Sequence, residues 1–161
     1  MISIERARLE DTPGIEALLR ANDLPLDGLA HALPLAVVAR EGASIAGCAA
    51  VEAYGRFGLL RSVCVGEELR GTGLGRMLVA EAEALAAEQG IDDLFLLTET
   101  AVHWFPRLGY VATTREAAPA EMTTSPEFAS VCPVSAAVLH KQLAKSSMPA
   151  RSWLIGPAKP W

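Results

Sequence analysis

The chain has 161 residues, 51% of them hydrophobic, and a formal net charge of -5. That length suits one domain with a real core, and the apolar content excludes disorder as a description of the whole. The acidic balance argues against a nucleic-acid partner, which needs a basic face, and no run of ~18 unbroken apolar residues marks a membrane span.

The N-terminus, MISIERARLEDTPG, carries charge from Glu5 onward and has no hydrophobic signal region, so the expected address is cytoplasmic. ISIERARL alternates apolar and polar residues and reads as a half-buried strand. DTPGIEALLRAN follows as a helix, with Asp11 or Thr12 as N-cap and Pro13 in its first turn. DLPLDGLA is a loop or a short helix. PLAVVARE and ASIAGCAAVEAY are strands joined by a tight turn at Glu41–Gly42, and GLLRSVCV completes an antiparallel meander.

The period then changes. Leu74, Leu78, Ala82 and Leu85 recur three or four apart and form one helix face, with Glu83 and Glu88 away from it and Gly90 as the stop. LFLLT is almost continuously apolar, as a strand buried on both faces would be. Strand, helix and strand in this order make a βαβ unit with parallel strands. A short helix AVHWFPRLG, a strand YVATTRE and a last strand SAAVLHKQL complete the domain. The expected class is α/β or α+β with a mixed sheet, antiparallel in its first half and parallel at the centre. Residues 1–143 read as this domain; 144–161, AKSSMPARSWLIGPAKPW, reads as a tail that is mobile or docks as an arm.

Cys48, Cys64 and Cys132 are odd in number and widely spaced, with no C-x-x-C pair. Neither a disulfide framework nor a zinc site is expected, and the three read as small buried hydrophobes. A thiol-based sensor needs thiols close together, and these spacings bring none together.

Between the meander and the long helix lies GEELRGTGLGRM, in which Gly71, Gly73 and Gly75 alternate. A helix N-terminus leaves its first N–H groups unpaired and concentrates partial positive charge there. Glycine-rich turns let a phosphate approach those groups, and Arg70 and Arg76 flank the turn. A P-loop is excluded because no Lys-Ser/Thr pair follows, and a dinucleotide fingerprint because its third glycine would fall on Leu78.

The spacing Arg70-x-x-Gly73-x-Gly75 resembles the acetyl-CoA-binding signature of the GNAT superfamily of acetyltransferases. The strand LLRSVCV before it, the strand DDLFLLT after the helix, and AVHWFPRLGYV, which is similar to the family's A-x-x-x-F/Y-x-x-x-G-F/Y run, support the resemblance. It covers roughly residues 2–143 and implies a mixed six- to seven-stranded sheet with flanking helices. It also implies direct acetyl transfer from acetyl-CoA to an amine, with no metal. The pyrophosphate would sit on the amides of Gly71, Thr72, Gly73, Leu74, Gly75 and Arg76 beside Arg70. The pantetheine arm would pair along Val63, Cys64 and Val65, as an added strand pairs. A bulge there would free a backbone N–H for the thioester oxygen, a donor worth about 2.7–4 kcal/mol.

A base must take the amine's proton; Glu52, before the cofactor strand, and Glu99, at the end of FLLTET, are candidates. The resemblance puts Phe105 where the family often carries a tyrosine that protonates the departing thiolate. Phe105 has no proton to give, so water, His103 or Cys132 would have to serve. Arg61 and Ser62 interrupt the apolar cofactor strand, and Arg61 could grip a substrate carboxylate.

LLRSVCV, LLTET…WF…LGY and EFASVCPVSAAVLHKQL together resemble a narrower branch, small GNAT proteins linked to bacterial arsenic-resistance operons. That branch implies an amino-acid-like acceptor, an arsenical analogue of glutamate among the candidates. A glutamate-type amino-acid N-acetyltransferase and a non-catalytic acyl-CoA-binding module are the competing readings. Whether the chain forms a homodimer is left open.

Overall fold

A computed structural model describes residues 1–128 and 136–143. Cys132 and the 144–161 tail lie outside the described residues.

Seven strands form one sheet. β1 (Ile2–Arg6) leads through α1 (Thr12–Ala21) and α2 (Leu29–Ala32) to β2 (Ala36–Glu41), β3 (Ser44–Tyr54) and β4 (Phe57–Val65). The helix α3 (Leu74–Glu88) crosses to β5 (Asp93–Thr98), followed by β6 (Val111–Thr113) and β7 (Ala137–Gln142). The spatial order is β1-β2-β3-β4-β5-β7-β6. Every neighbouring pair is antiparallel except β4 with β5, the two ends of the βαβ unit. The hairpin turns need left-handed residues, and Gly42 (φ 62°) and Gly55 (φ 65°) supply them.

The period-2 pattern sorts side chains onto two faces. Val37, Ala39, Ala49, Val51, Leu60, Leu94 and Leu96 face α3, which answers with Leu74, Leu78, Val79, Ala82, Leu85 and Ala86. Val38, Cys48 and Cys64 face α1 and α2 through Ile15, Leu19 and Leu29. Beyond them on that face, Leu59, Phe95 and Val138 pack under Ala118, Met122 and Phe128 of the segment before β7.

The structure departs from the sequence reading in the two elements after β5. AVHWFPRLG makes only a 3-10 turn over Phe105–Leu108, with Pro106 inside it and Gly109 (φ 98°) ending it. β6 is three residues long and lies at the sheet edge with Val111 exposed, while β7 takes the inner place between β5 and β6. β7 suits that place because Val138 and Leu139 are buried in clusters on opposite sides of the sheet. Glu83, read as lying off the apolar stripe of α3, is half-buried. Its carboxylate accepts from Lys141 Nζ at 3.0 Å and from the Tyr110 hydroxyl at 2.8 Å, clipping α3 to β7.

Cys48 and Cys64, separated in sequence, stand opposite each other on β3 and β4 with sulfurs 3.8 Å apart. Pairing of antiparallel strands overrides sequence distance, so the spacing argument against close thiols fails for these two. Both are free thiols, as expected of buried small hydrophobes. Among the described residues, no cluster of three or more His, Cys, Asp or Glu could hold a metal ion. No helix among them is long and apolar enough to cross a membrane.

Candidate active site

The site begins with an irregularity in β4. Cys48 faces Cys64 and Ala50 faces Arg61, so Ser62 and Val63 together oppose Ala49 alone. That is a β-bulge. Ser62 sits at φ 59°, a left-handed conformation that costs a non-glycine residue about 1–2 kcal/mol. Two side chains hold it there. Arg61 Nε donates to Ser62 Oγ at 3.1 Å, and the Cys48 thiol donates to the Ser62 carbonyl at 3.1 Å.

β4 and β5 pair only from Phe57–Leu59 with Asp93–Phe95 and then part. A cavity of about 660 Å³ lies in the opening, lined by Arg61, Ser62 and Val63 of β4, Leu96 to Thr98 of β5, and Glu99 just after it. Phe105, Glu127 and the loop Asn22 to Pro25 close it.

The glycine turn stands at the head of the 15-residue α3. Gly71 (φ 82°) and Gly73 (φ 90°) both need the left-handed region, and a Cβ at either would meet nothing within 4 Å. The turn is therefore open on its outer side. Gly75 is different, since a Cβ there would come within 3.4 Å of Trp104. The Thr72 hydroxyl donates to the Leu69 carbonyl at 2.6 Å and accepts from the Leu74 amide at 3.4 Å. Arg70 donates to the Asn22 side chain, and Arg76 is exposed. Exposed amides at a helix head with two arginines beside them suit a phosphate or pyrophosphate.

Behind the bulge lies a buried charge cluster. Arg61 Nη1 donates to Glu52 Oε2 at 2.7 Å and to the Asp27 carbonyl, and Nη2 donates to the Pro25 carbonyl at 3.1 Å. Arg61 Nε lies 3.4 Å from Glu127 Oε2, and the Tyr54 hydroxyl donates to Glu52 Oε1 at 2.5 Å. The Arg61 and Glu52 side chains are 0% exposed. Burial pushes the Glu127 carboxyl up to about 7, with Arg61 opposing and Glu52 reinforcing the rise. Burial, then the bond to Glu52, pushes the Tyr54 hydroxyl up to about 12. Contact with Cys64, then burial, pushes the Cys48 thiol well above its ordinary value.

The sequence-derived candidates fall in different places. Val63, Phe105 and Glu99 line the cavity, Phe105 buried and Glu99 exposed. Val65 lies partly buried beside Gly75. Cys64 turns its side chain away, toward Cys48 and α1. Glu52 is not among the cavity-lining residues and stands behind Arg61. His103 is exposed and off the cavity wall. Arg61, expected to grip a substrate carboxylate, instead directs its donors at Ser62, Glu52 and two backbone carbonyls. Glu127 was not singled out in the sequence. Its only local signal is a charge set between Pro126 and Phe128 in a stretch of no clear period.

Residues 34–112 match the acetyltransferase (GNAT) domain family. The chain is 38% identical over 73 residues to an uncharacterised N-acetyltransferase of Chlorobaculum tepidum, covering 45% of this chain and 46% of that protein. It is 31% identical over 125 residues to an amino-acid acetyltransferase of Ralstonia nicotianae, covering 69% of this chain and 27% of that one. The chain thus spans less than half the length of either relative. In fold it is similar to N-acetylglutamate synthase from Neisseria gonorrhoeae complexed with coenzyme A and N-acetyl-glutamate. The TM-score is 0.77 at 22% identity, over 90% of this chain and 36% of that one. A Mycobacterium tuberculosis protein in complex with CoA gives a TM-score of 0.74 at 22% identity, over 88% of this chain and 99% of that one.

Proposed function

We propose that this chain, whose residues 34–112 match the acetyltransferase (GNAT) domain family, is an acetyl-CoA-dependent N-acetyltransferase acting directly on the amine of a small, amino-acid-like acceptor. The observation that carries this reading is the parting of β4 and β5 at the Ser62–Val63 bulge, beside the open glycine turn of α3.

The amides from Gly71 to Arg76 would hold the pyrophosphate, with Arg70 and Arg76 adding charge. The edge of β4 at Val63 to Val65 would hold the pantetheine arm, and the bulge would present a backbone N–H to the thioester oxygen. The acceptor would enter the cavity between Ser62, Glu99 and Glu127. Phe105 offers apolar surface and no proton, so the leaving thiolate would take its proton from the amine or from water. Glu99 at the cavity mouth is a candidate proton acceptor, and Glu52 would act from behind Arg61 by holding the guanidinium.

A glutamate-type acceptor is the second reading, favoured by likeness to the amino-acid acetyltransferase of R. nicotianae and the N-acetylglutamate synthase of N. gonorrhoeae. The arsenical analogue of glutamate is the narrower case. Incubation of the protein with acetyl-CoA and a panel of amines tests these readings, with thiol release and product mass as readouts. The panel is L-glutamate, L-glutamine, an arsenical glutamate analogue, methylamine, ethylenediamine and hydroxylamine. Transfer to at least one amine is expected. Calorimetric binding of CoA with no transfer to any amine would favour the acyl-CoA-binding module instead.

A further inference from the structure

We propose that Glu127 takes the proton from the acceptor ammonium; this rests on the acetyltransferase reading above. Glu127 lines the cavity, and its Oε2 lies 3.4 Å from Arg61 Nε. The same Nε donates to Ser62 Oγ at 3.1 Å. The guanidinium thus stands between the carboxylate, as an ion pair, and the bulge residue, as a hydrogen bond, next to the backbone that would face the reacting carbonyl.

The other carboxylates are placed differently. Both oxygens of Glu52 accept hydrogen bonds, from Tyr54 and Arg61, and none of its atoms belongs to the cavity wall. Glu99 stands at the exposed mouth, where water screens its charge. Arg61 of β4 and Glu52 of β3 act on Glu127, and Asp23 and Glu99 share the cavity wall with it. Arg115 approaches the same segment, donating to the Phe128 carbonyl at 3.2 Å. Arg61 already faces Glu52, so Glu127 has to share that cation. An entering ammonium supplies a second positive charge. Burial also holds Glu127 near neutrality, where a general base works best.

The step balances as follows. The ammonium gives one proton to Glu127. The freed lone pair forms the N–C bond to the acetyl carbonyl, and the C–S bond breaks with its electron pair leaving on sulfur. The nitrogen's second proton passes to that sulfur, and Glu127 returns the first proton to solvent.

The test compares wild type, Glu127→Gln, Glu127→Asp and Glu116→Gln on the amine panel across pH 5–9. Glu127→Gln should lose about 10²-fold or more in kcat/KM at pH 7 with ammonium-type acceptors, and it should lose the rise near pH 7. Hydroxylamine is largely neutral at that pH and should lose only a few-fold. Glu127→Asp should recover part of the rate, and Glu116→Gln, an exposed carboxylate off the cavity wall, should keep the wild-type pH profile. Infrared titration of the free protein gives a readout without turnover. A protonated-carboxyl band should vanish near pH 7 in wild type and be missing in Glu127→Gln. Equal loss on hydroxylamine and on ammonium acceptors, or an unchanged infrared titration, would overturn the role of Glu127 and leave the transferase reading standing. A wild type inert on every amine would overturn both.

Discussion

Arg61→Met tests the buried cluster most directly. The substitution keeps an apolar stem of similar length and removes the cation that faces two buried carboxylates, Glu52 and Glu127. Breaking a buried pair by removing one partner costs about 3–5 kcal/mol. For a chain of this size each kcal/mol moves Tm by about 2–4 °C, so a fall of about 6–20 °C is expected. Urea unfolding followed by tryptophan fluorescence gives the free energy and thermal circular dichroism the midpoint. Because the orphaned carboxylates prefer their protons in the folded state, the loss should be smaller at pH 5 than at pH 8. Adding Glu52→Leu should restore much of the stability, since an apolar pair replaces an uncompensated charge. A cost below about 1 kcal/mol at pH 8, or a double variant no better than the single one, would refute the reasoning.

Gly73→Ala should cost about 1–2 kcal/mol of stability, because φ 90° is left-handed. It should also weaken CoA binding measured by calorimetry, by tilting the amides at the head of α3; unchanged affinity would separate the turn from the cofactor. For Glu127, the folded carboxyl titrates near 7 against an ordinary value of 4.5. Between those values the folded chain binds more protons than the unfolded one, so the Glu127 contribution is full below pH 4.5 and is lost as pH rises through 7. That loss is about 3 kcal/mol. Urea midpoints from pH 5 to 8 should therefore fall less steeply in Glu127→Gln than in wild type, and parallel curves would refute the shift. His103→Ala should leave transfer within about two-fold, because His103 is exposed and off the cavity wall; a large loss in steady-state rate would restore it as an acid.

Read as sequence alone, the chain determined its own local parts. The alternation through β2, β3 and β4, the helical stripe from Leu74 to Leu85, and the left-handed turns at Gly42, Gly71 and Gly73 are all short-range patterns. They rest on periodicity and on the conformations only glycine takes freely. Those features were enough for the antiparallel meander, the βαβ crossover and an anion cradle at the head of α3. The interior of the site depends on long-range pairing that no local period encodes. The stretch 118–128, which carries Glu127, lies against β4. Pairing of β3 with β4 brings Cys48 to Cys64 and Glu52 to Arg61. The loop after α1 brings two carbonyls that satisfy the guanidinium. An arginine in an apolar strand reads the same in sequence whether it reaches for a substrate or is consumed by its neighbours. Only the tertiary structure decided between them, because a buried charge must find partners and those partners came from three separate parts of the chain.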